Sequence, residues 1–318
     1  MLGGMLDKVT GVLDQRLVLT SLLPAIAFWA AVAGLAGAQA GWPRVEARWN
    51  GFDSTAKILL AVAAVAFLVL FALLLAAAEG AFLSLYEGYW GDRGLGGWLA
   101  GTRKIRHQRQ RASRDGDYEF IYRNYPRDRN KKLPEGAARR PDYIMPTRLG
   151  NIIKAAELYP NDAGRYGMDA VFFWPRLYQV IPDSARSGLV DARTSLALML
   201  NVCTLALVLA AGSLIALAAT AIRPAGALWA AACGLVIAWL AYRSALGAAR
   251  VYGELVRSAY DLYRGDLLDR LGFTRPGTLA EERTLWRNLS QQMYRRVADS
   301  PAVLDAARVQ PPGSGQST

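Results

Sequence analysis

Four arginines stand seven residues apart in the stretch R-SALGAA-R-VYGELV-R-SAYDLY-R: Arg243, Arg250, Arg257 and Arg264. On a helix that spacing keeps them near one face. Guanidinium groups so placed can meet water, touch lipid phosphates or form a charged ring that selects ions. Three more polar residues stand close to long apolar runs: Glu79, Glu87 and Asn201. An acid held within a membrane is a functional candidate by default. An amide there most often makes an interhelical hydrogen bond.

The sequence argues against most enzyme chemistry. His107 is the one histidine, which removes most metal-hydrolase, zinc and Ser-His schemes. Cys203 and Cys233 both lie in apolar runs and read as small hydrophobes, with no metal spacing. The GLGG at Gly94–Gly97 lacks a preceding strand and a GK[ST], so it does not read as a phosphate loop. Glu281-Glu282 with Arg287 approaches the EExxxR arrangement of intramembrane CAAX-type proteases. The spacing is off by one and the partner histidines are missing. No catalytic, cofactor or metal site is expected.

These residues must be positioned by helices in a membrane. The chain has 318 residues, 53% of them hydrophobic and 20% charged, and the two kinds are segregated into separate stretches. About 20 apolar residues span a bilayer. Four runs qualify: Leu17–Ala36, Ile58–Ala78, Leu196–Ile222 and Pro224–Tyr242. Ala38-Gln39-Ala40 resembles a signal-peptidase site, but the apolar run before it is too long for a signal and reads as a retained anchor. Of the 37 Lys and Arg residues, 20 lie in Gly91–Arg193 and 11 follow Tyr242. The positive-inside rule then puts both termini and the central linker in the cytoplasm of a bacterial inner membrane. A net charge of +11 makes anionic phospholipid the expected partner, with no nucleic acid.

The linker mixes basic and packed stretches. Asp115-Gly116 could turn a hairpin with Tyr118–Tyr125 as a strand, or end a helix. Pro126–Asp142 reads as a loop. Thr147 can cap a helix ending before Pro160, and Asp169 a second one running to Trp174. Pro182-Asp183-Ser184 starts a third, which can run directly into the third span. The aromatics of this region indicate a folded core. Its R-x-G-N, E-x-Y-P, R-Y-G-x-D and W-P-R-L elements are carried by Arg148, Gly150, Asn151, Glu157, Tyr159, Pro160, Arg165, Tyr166, Gly167, Asp169, Trp174, Pro175, Arg176 and Leu177. This segment resembles a signature of a family of bacterial integral membrane proteins. The resemblance covers about a sixth of the chain and implies no activity.

With the arginines at heptad position f, the a, d and e positions hold Ala245, Ala248, Ala249, Tyr252, Leu255, Val256, Ala259, Leu262 and Tyr263. The reading is a helix running about 20 residues beyond the fourth span, packed on that apolar face. Its arginines are then solvated, with Arg250–Glu254 and Arg257–Asp261 as i,i+4 pairs. Thr278-Leu-Ala-Glu281 is a capping box opening a helix with Leu285, Trp286, Leu289 and Met293 on one face.

The expected fold is an all-α membrane protein with four transmembrane helices and a mainly helical cytoplasmic domain from the linker and tail. Its parts are a hairpin at 1–90, a basic domain at 91–193, a second hairpin at 194–242, C-terminal helices at 243–310 and a disordered tail at 311–318. This layout resembles that of bestrophins and large-pore channels, without any of their motifs. Two functions fit: a homo-oligomeric channel, or a non-conducting sensor or scaffold whose cytoplasmic domain binds a protein partner.

Overall fold

The computed structural model describes residues 15–91, 93–127, 143–161, 165–219, 224–295, 304, 305, 307 and 308. A short α-turn, Gln15–Leu17, leads into a π-helix at Val18–Leu22. Eleven α-helices of seven residues or more follow. They are α1 Leu23–Ala40, α2 Trp42–Asn50, α3 Ser54–Ala77, α4 Glu79–Glu87, α5 Gly94–Ala112, α6 Tyr118–Asn124, α7 Arg148–Glu157, α8 Ala170–Val180, α9 Asp183–Ala218, α10 Pro224–Arg270 and α11 Leu279–Arg295. No strand occurs among the described residues; Phe273 and Arg308 form an isolated antiparallel bridge.

Four helical stretches are long and apolar enough to cross a membrane: Val18–Ala40, Ser54–Ala77, Asp183–Ala218 and Ala225–Arg270. They coincide with the four runs read from the sequence. The Asp183 start and the Arg270 end extend well beyond the apolar runs, as the capping and heptad patterns had indicated.

The chain divides into two compact units. The first comprises Met1–Tyr86 and Arg193–Ala248, the second Glu87–Ala192 and Ala249–Thr318. Linker and tail therefore share one unit, and the last division falls after Ala248 rather than after Tyr242.

In the first unit α9 and α10 pack through small residues. Cys203, Ala206, Ala238 and Ala241 are buried together. A Cβ on Gly234 would lie 2.8 Å from the Ala206 carbonyl oxygen. Small side chains let two backbones approach where lipid offers no hydrophobic drive between helices. The connection between the first two spans holds α2. Pro43 lies in the first turn of this helix, and Trp42 and Trp49 are exposed on it. Lys57 lies over the Trp49 ring at 5.9 Å. Such exposed tryptophans beside cations suit a membrane–water interface.

The second unit owns a continuous core. Trp286, Tyr260, Phe173, Met168, Leu177, Ile181, Leu268, Leu285 and Leu289 are all within 2% of full burial. Local capping explains where its helices begin. Thr147 Oγ accepts from Gly150 N at 2.9 Å, Asp169 Oδ1 from Phe172 N at 3.2 Å, and Asp117 Oδ1 from Phe120 N at 3.0 Å. The strand alternative at Tyr118–Tyr125 is thereby corrected: with Asp117 as its cap, that segment is α6. The capping box also forms, since Glu281 N donates to Thr278 Oγ while Glu281 Oε2 accepts from Thr278 N. Helix α8 was expected to stop at Trp174 but runs through Pro175 to Val180. Pro175 removes one donor, at a point where Val171, four residues back, is exposed and its carbonyl can be hydrated. Positions 128–142 of the expected loop Pro126–Asp142 and the expected disordered tail at 311–318 lie outside the described residues.

Candidate functional site

The first unit gathers polar groups in two places. Glu79 opens α4, where a carboxylate suits the helix N-terminus. Arg16 NH2 donates to its two oxygens at 2.8 and 3.1 Å, and Arg193 Nε stands 4.0 Å away. Glu79 is thus an ion-paired residue and not a lone acid. Its partner Arg16 went unnoticed because it lies before the first span, 63 residues distant. The second place surrounds the π-helix. Asn201, 1% exposed, donates from Nδ2 to the Thr20 carbonyl at 2.8 Å. That is the interhelical bond its type suggests. Buried Thr20 and Ser21 lie at 3.3 Å from each other, and Asn201 Oδ1 has no hydrogen-bond partner among the described residues. Tyr86 bonds Thr204 Oγ at 3.2 Å nearby in the chain. Arg243 is exposed, 5.2 Å over the Trp239 ring.

The second unit holds the denser constellation, and the arginine stripe enters it. Arg250 Nε bonds Asn124 Oδ1 at 3.0 Å. Arg257 is only 3% exposed. Its NH2 donates to the Tyr122 carbonyl at 2.8 Å and its NH1 meets Glu254 at 3.2 Å. The guanidinium lies 4.3 Å from the Tyr122 ring and 5.9 Å from Tyr159. Tyr122 sits in the last turn of α6, where a carbonyl lacks a helical donor. Arg257 supplies that donor. Arg264 pairs with Glu282 at 2.8 Å, stacks on Tyr166 at 3.9 Å and bonds the Asp261 carbonyl.

The solvated face expected for the whole stripe is therefore corrected at Arg257, which lies inside the unit. Its acidic partner is Glu254, three residues earlier, and not Asp261. Leu262, assigned to the packed face, is 68% exposed. The reason is the mismatch between 7 and 3.6. A straight helix drifts about 20° per heptad. Two heptads separate Arg243 from Arg257 and turn the line of arginines by roughly 40°, from the exposed Arg243 to the buried Arg257.

Asp261 has a different task. It accepts from Tyr159 at 2.9 Å and from Tyr166 at 2.6 Å. Burial, followed by these bonds to the Asp261 carboxylate, raises both phenols above their usual range. They stay protonated donors. Arg165 lies over Tyr159 at 4.2 Å, and its carbonyl accepts from Arg283 Nε at 2.6 Å.

Most of the remaining signature residues serve the framework. Asn151 is fully buried and clamps the preceding loop, accepting from Met145 N and donating to the Met145 and Thr147 carbonyls. Glu157 pairs with Lys154 at 2.8 Å, and Asp169 caps α8. Trp174 packs beside Tyr260 at 5.7 Å, and Arg176 folds over Phe172 at 3.9 Å. Arg148 is exposed. Glu87 acts through its carbonyl, which accepts from Thr147 Oγ at 2.9 Å.

Beside Arg257 the second unit is indented. A cavity of about 750 Å³ is walled by the end of α5, by α6 and the residues after it, by α7 and by α10. Arg111, Arg127, Arg165 and Arg257 line it, with Asp115 the one acid among its described lining residues. Tyr118, Tyr122, Tyr125 and Tyr159 supply aromatic wall, and Ile121 and Ala155 apolar floor. His107 lies behind Tyr125, with Nδ1 3.0 Å from the phenol oxygen. Sequence reading did not find this cleft. Its one signal was the tyrosines interleaved with arginines between Tyr118 and Arg127. Among the described residues no three His, Cys, Asp or Glu side chains are grouped to hold a metal ion.

Comparison of the chain with protein-family models, with curated proteins and with solved structures gives no match.

Proposed function

We infer that the chain is a membrane-anchored sensor or scaffold, its second unit being a cytoplasmic binding module. The observation that carries this reading is the fate of the arginine stripe. Arg257 and Arg264 are engaged with tyrosines and acids inside a unit that has its own core and an open, basic cleft. Charges held that way serve recognition better than they serve a pore lining. Clefts of this size with a few convergent polar groups are the usual form of a binding site. The charge distribution supports an orientation with both termini and the linker in the cytoplasm of a bacterial inner membrane.

Reconstitution into planar bilayers tests this function. The sensor reading expects no single-channel current from purified protein. Stepwise currents abolished by Asn201→Leu would overturn it in favour of the homo-oligomeric channel. That second reading draws its support from the buried polar group at Thr20, Ser21 and Asn201 among otherwise apolar helices. Orientation is tested by single cysteines at Ser113, Ser54 and Ser314 in whole cells. An impermeant thiol reagent is expected to label Ser54→Cys and to spare the other two.

A further inference from the structure

We propose that the cleft of the second unit binds a phosphorylated small molecule, with Arg165 as its phosphate-facing residue. The proposal rests on the binding-module reading and names the ligand class. Charge is the first argument. Among the described lining residues four arginines stand against one aspartate, and a concave surface of one sign focuses its field on ions of the opposite sign.

Preorganisation is the second. Arg165 lies over the Tyr159 ring, its guanidinium carbon 4.2 Å from the ring centre. Stacking uses the face of a guanidinium and leaves its N–H edge for acceptors. A side chain already held in place loses little entropy when a ligand arrives. Arg165 makes no ion pair among the described residues. A phosphate presents paired oxygens at the spacing of a guanidinium edge, which gives the strongest form of charge-assisted hydrogen bond.

Size is the third. A cavity of about 750 Å³ exceeds what one inorganic oxyanion fills and matches a ligand of nucleotide dimensions. The exposed ring of Tyr118, 78% open, is free to cover a flat group on such a ligand. A phosphate ester also occurs on lipid headgroups, and the experiment separates the two sources.

The full-length protein is placed in nanodiscs of neutral phosphatidylcholine. ATP, pyrophosphate and adenosine are titrated by calorimetry, with thermal unfolding followed in parallel. Vesicles of phosphatidylglycerol form the fourth arm. ATP and pyrophosphate are expected to bind saturably and to raise the unfolding temperature, and adenosine to do neither. Arg165→Gln should weaken ATP binding at least tenfold, and Arg165→Lys should recover only part of the loss. Arg127→Gln, on an exposed side chain, gives the same readout should Arg165→Gln fail to fold. Absence of saturable binding by both phosphates overturns the proposal, as does binding that none of these variants weakens. Binding to phosphatidylglycerol vesicles alone, without response to ATP or pyrophosphate, also overturns it and reassigns the arginines to a membrane surface. None of these results touches the bilayer-current test of the sensor reading.

Discussion

Replacing Arg257 by glutamine separates a helix face read from sequence from the face found in the fold. On a solvated face, the change would remove at most about 0.5 kcal/mol. In the structure the side chain is 3% exposed and makes three contacts. The bond to the Tyr122 carbonyl, at 2.8 Å, is charge-assisted and contributes about 1.5–3 kcal/mol. The stack on the Tyr122 ring, at 4.3 Å, adds about 0.5–2 kcal/mol. Glu254 is 53% exposed, so its ion pair adds little after screening by water. A loss of about 3 kcal/mol follows. For a domain of 150–250 residues this lowers the unfolding temperature by roughly 6–12 °C. Thermal unfolding in detergent, followed by circular dichroism and by protease resistance of the second unit, measures it. Arg123→Gln is the control on α6. Arg123 is 58% exposed in an i,i+4 pair with Glu119, so its change should cost about 0.3–0.5 kcal/mol. An Arg257→Gln protein unfolding within 2 °C of the parent would refute the argument.

A Cβ at Gly150 would lie 2.1 Å from the Glu87 carbonyl oxygen, so Gly150→Ala should cost about 1–3 kcal/mol or more, whereas Gly101→Ala, with open space around it in α5, should stabilise by up to about 1 kcal/mol; denaturant midpoints compare the two. His107 is held below its ordinary 6.5 by burial first, with Arg148, Arg106 and Arg103 adding to it. The unfolded chain then takes up this proton before the folded one, so the stability is present above pH 6.5 and is lost as pH falls through the lower folded value. Unfolding temperatures between pH 7.5 and 5 should fall more for the parent than for His107→Gln, and equal slopes would contradict the assignment. A double-mutant cycle on Arg16 and Glu79, with side chains 36% and 23% exposed, should return a coupling near 1 kcal/mol. A coupling of zero would make the 2.8 Å pair incidental.

The sequence by itself determined the four helices long and apolar enough to cross a membrane and much of the helical outline. Long uncharged runs have to become helices in a membrane, because lipid offers nothing to an unpaired backbone group. Local signals likewise fixed helix starts at Thr147, Asp169 and Thr278, since a cap acts over three residues of chain. Tertiary structure decided what local pattern cannot carry. Arg257 is buried because α6, some 135 residues earlier, lies against α10 and ends in a carbonyl that needs a donor. Glu79 is paired because Arg16 arrives from 63 residues away. The cleft exists because four separate stretches bring their arginines and tyrosines to one indentation. A heptad count assumes a straight line along the helix, whereas the true line turns by about 20° each repeat. Which side of that turning line meets protein is set by the neighbours, and the neighbours are set by the fold.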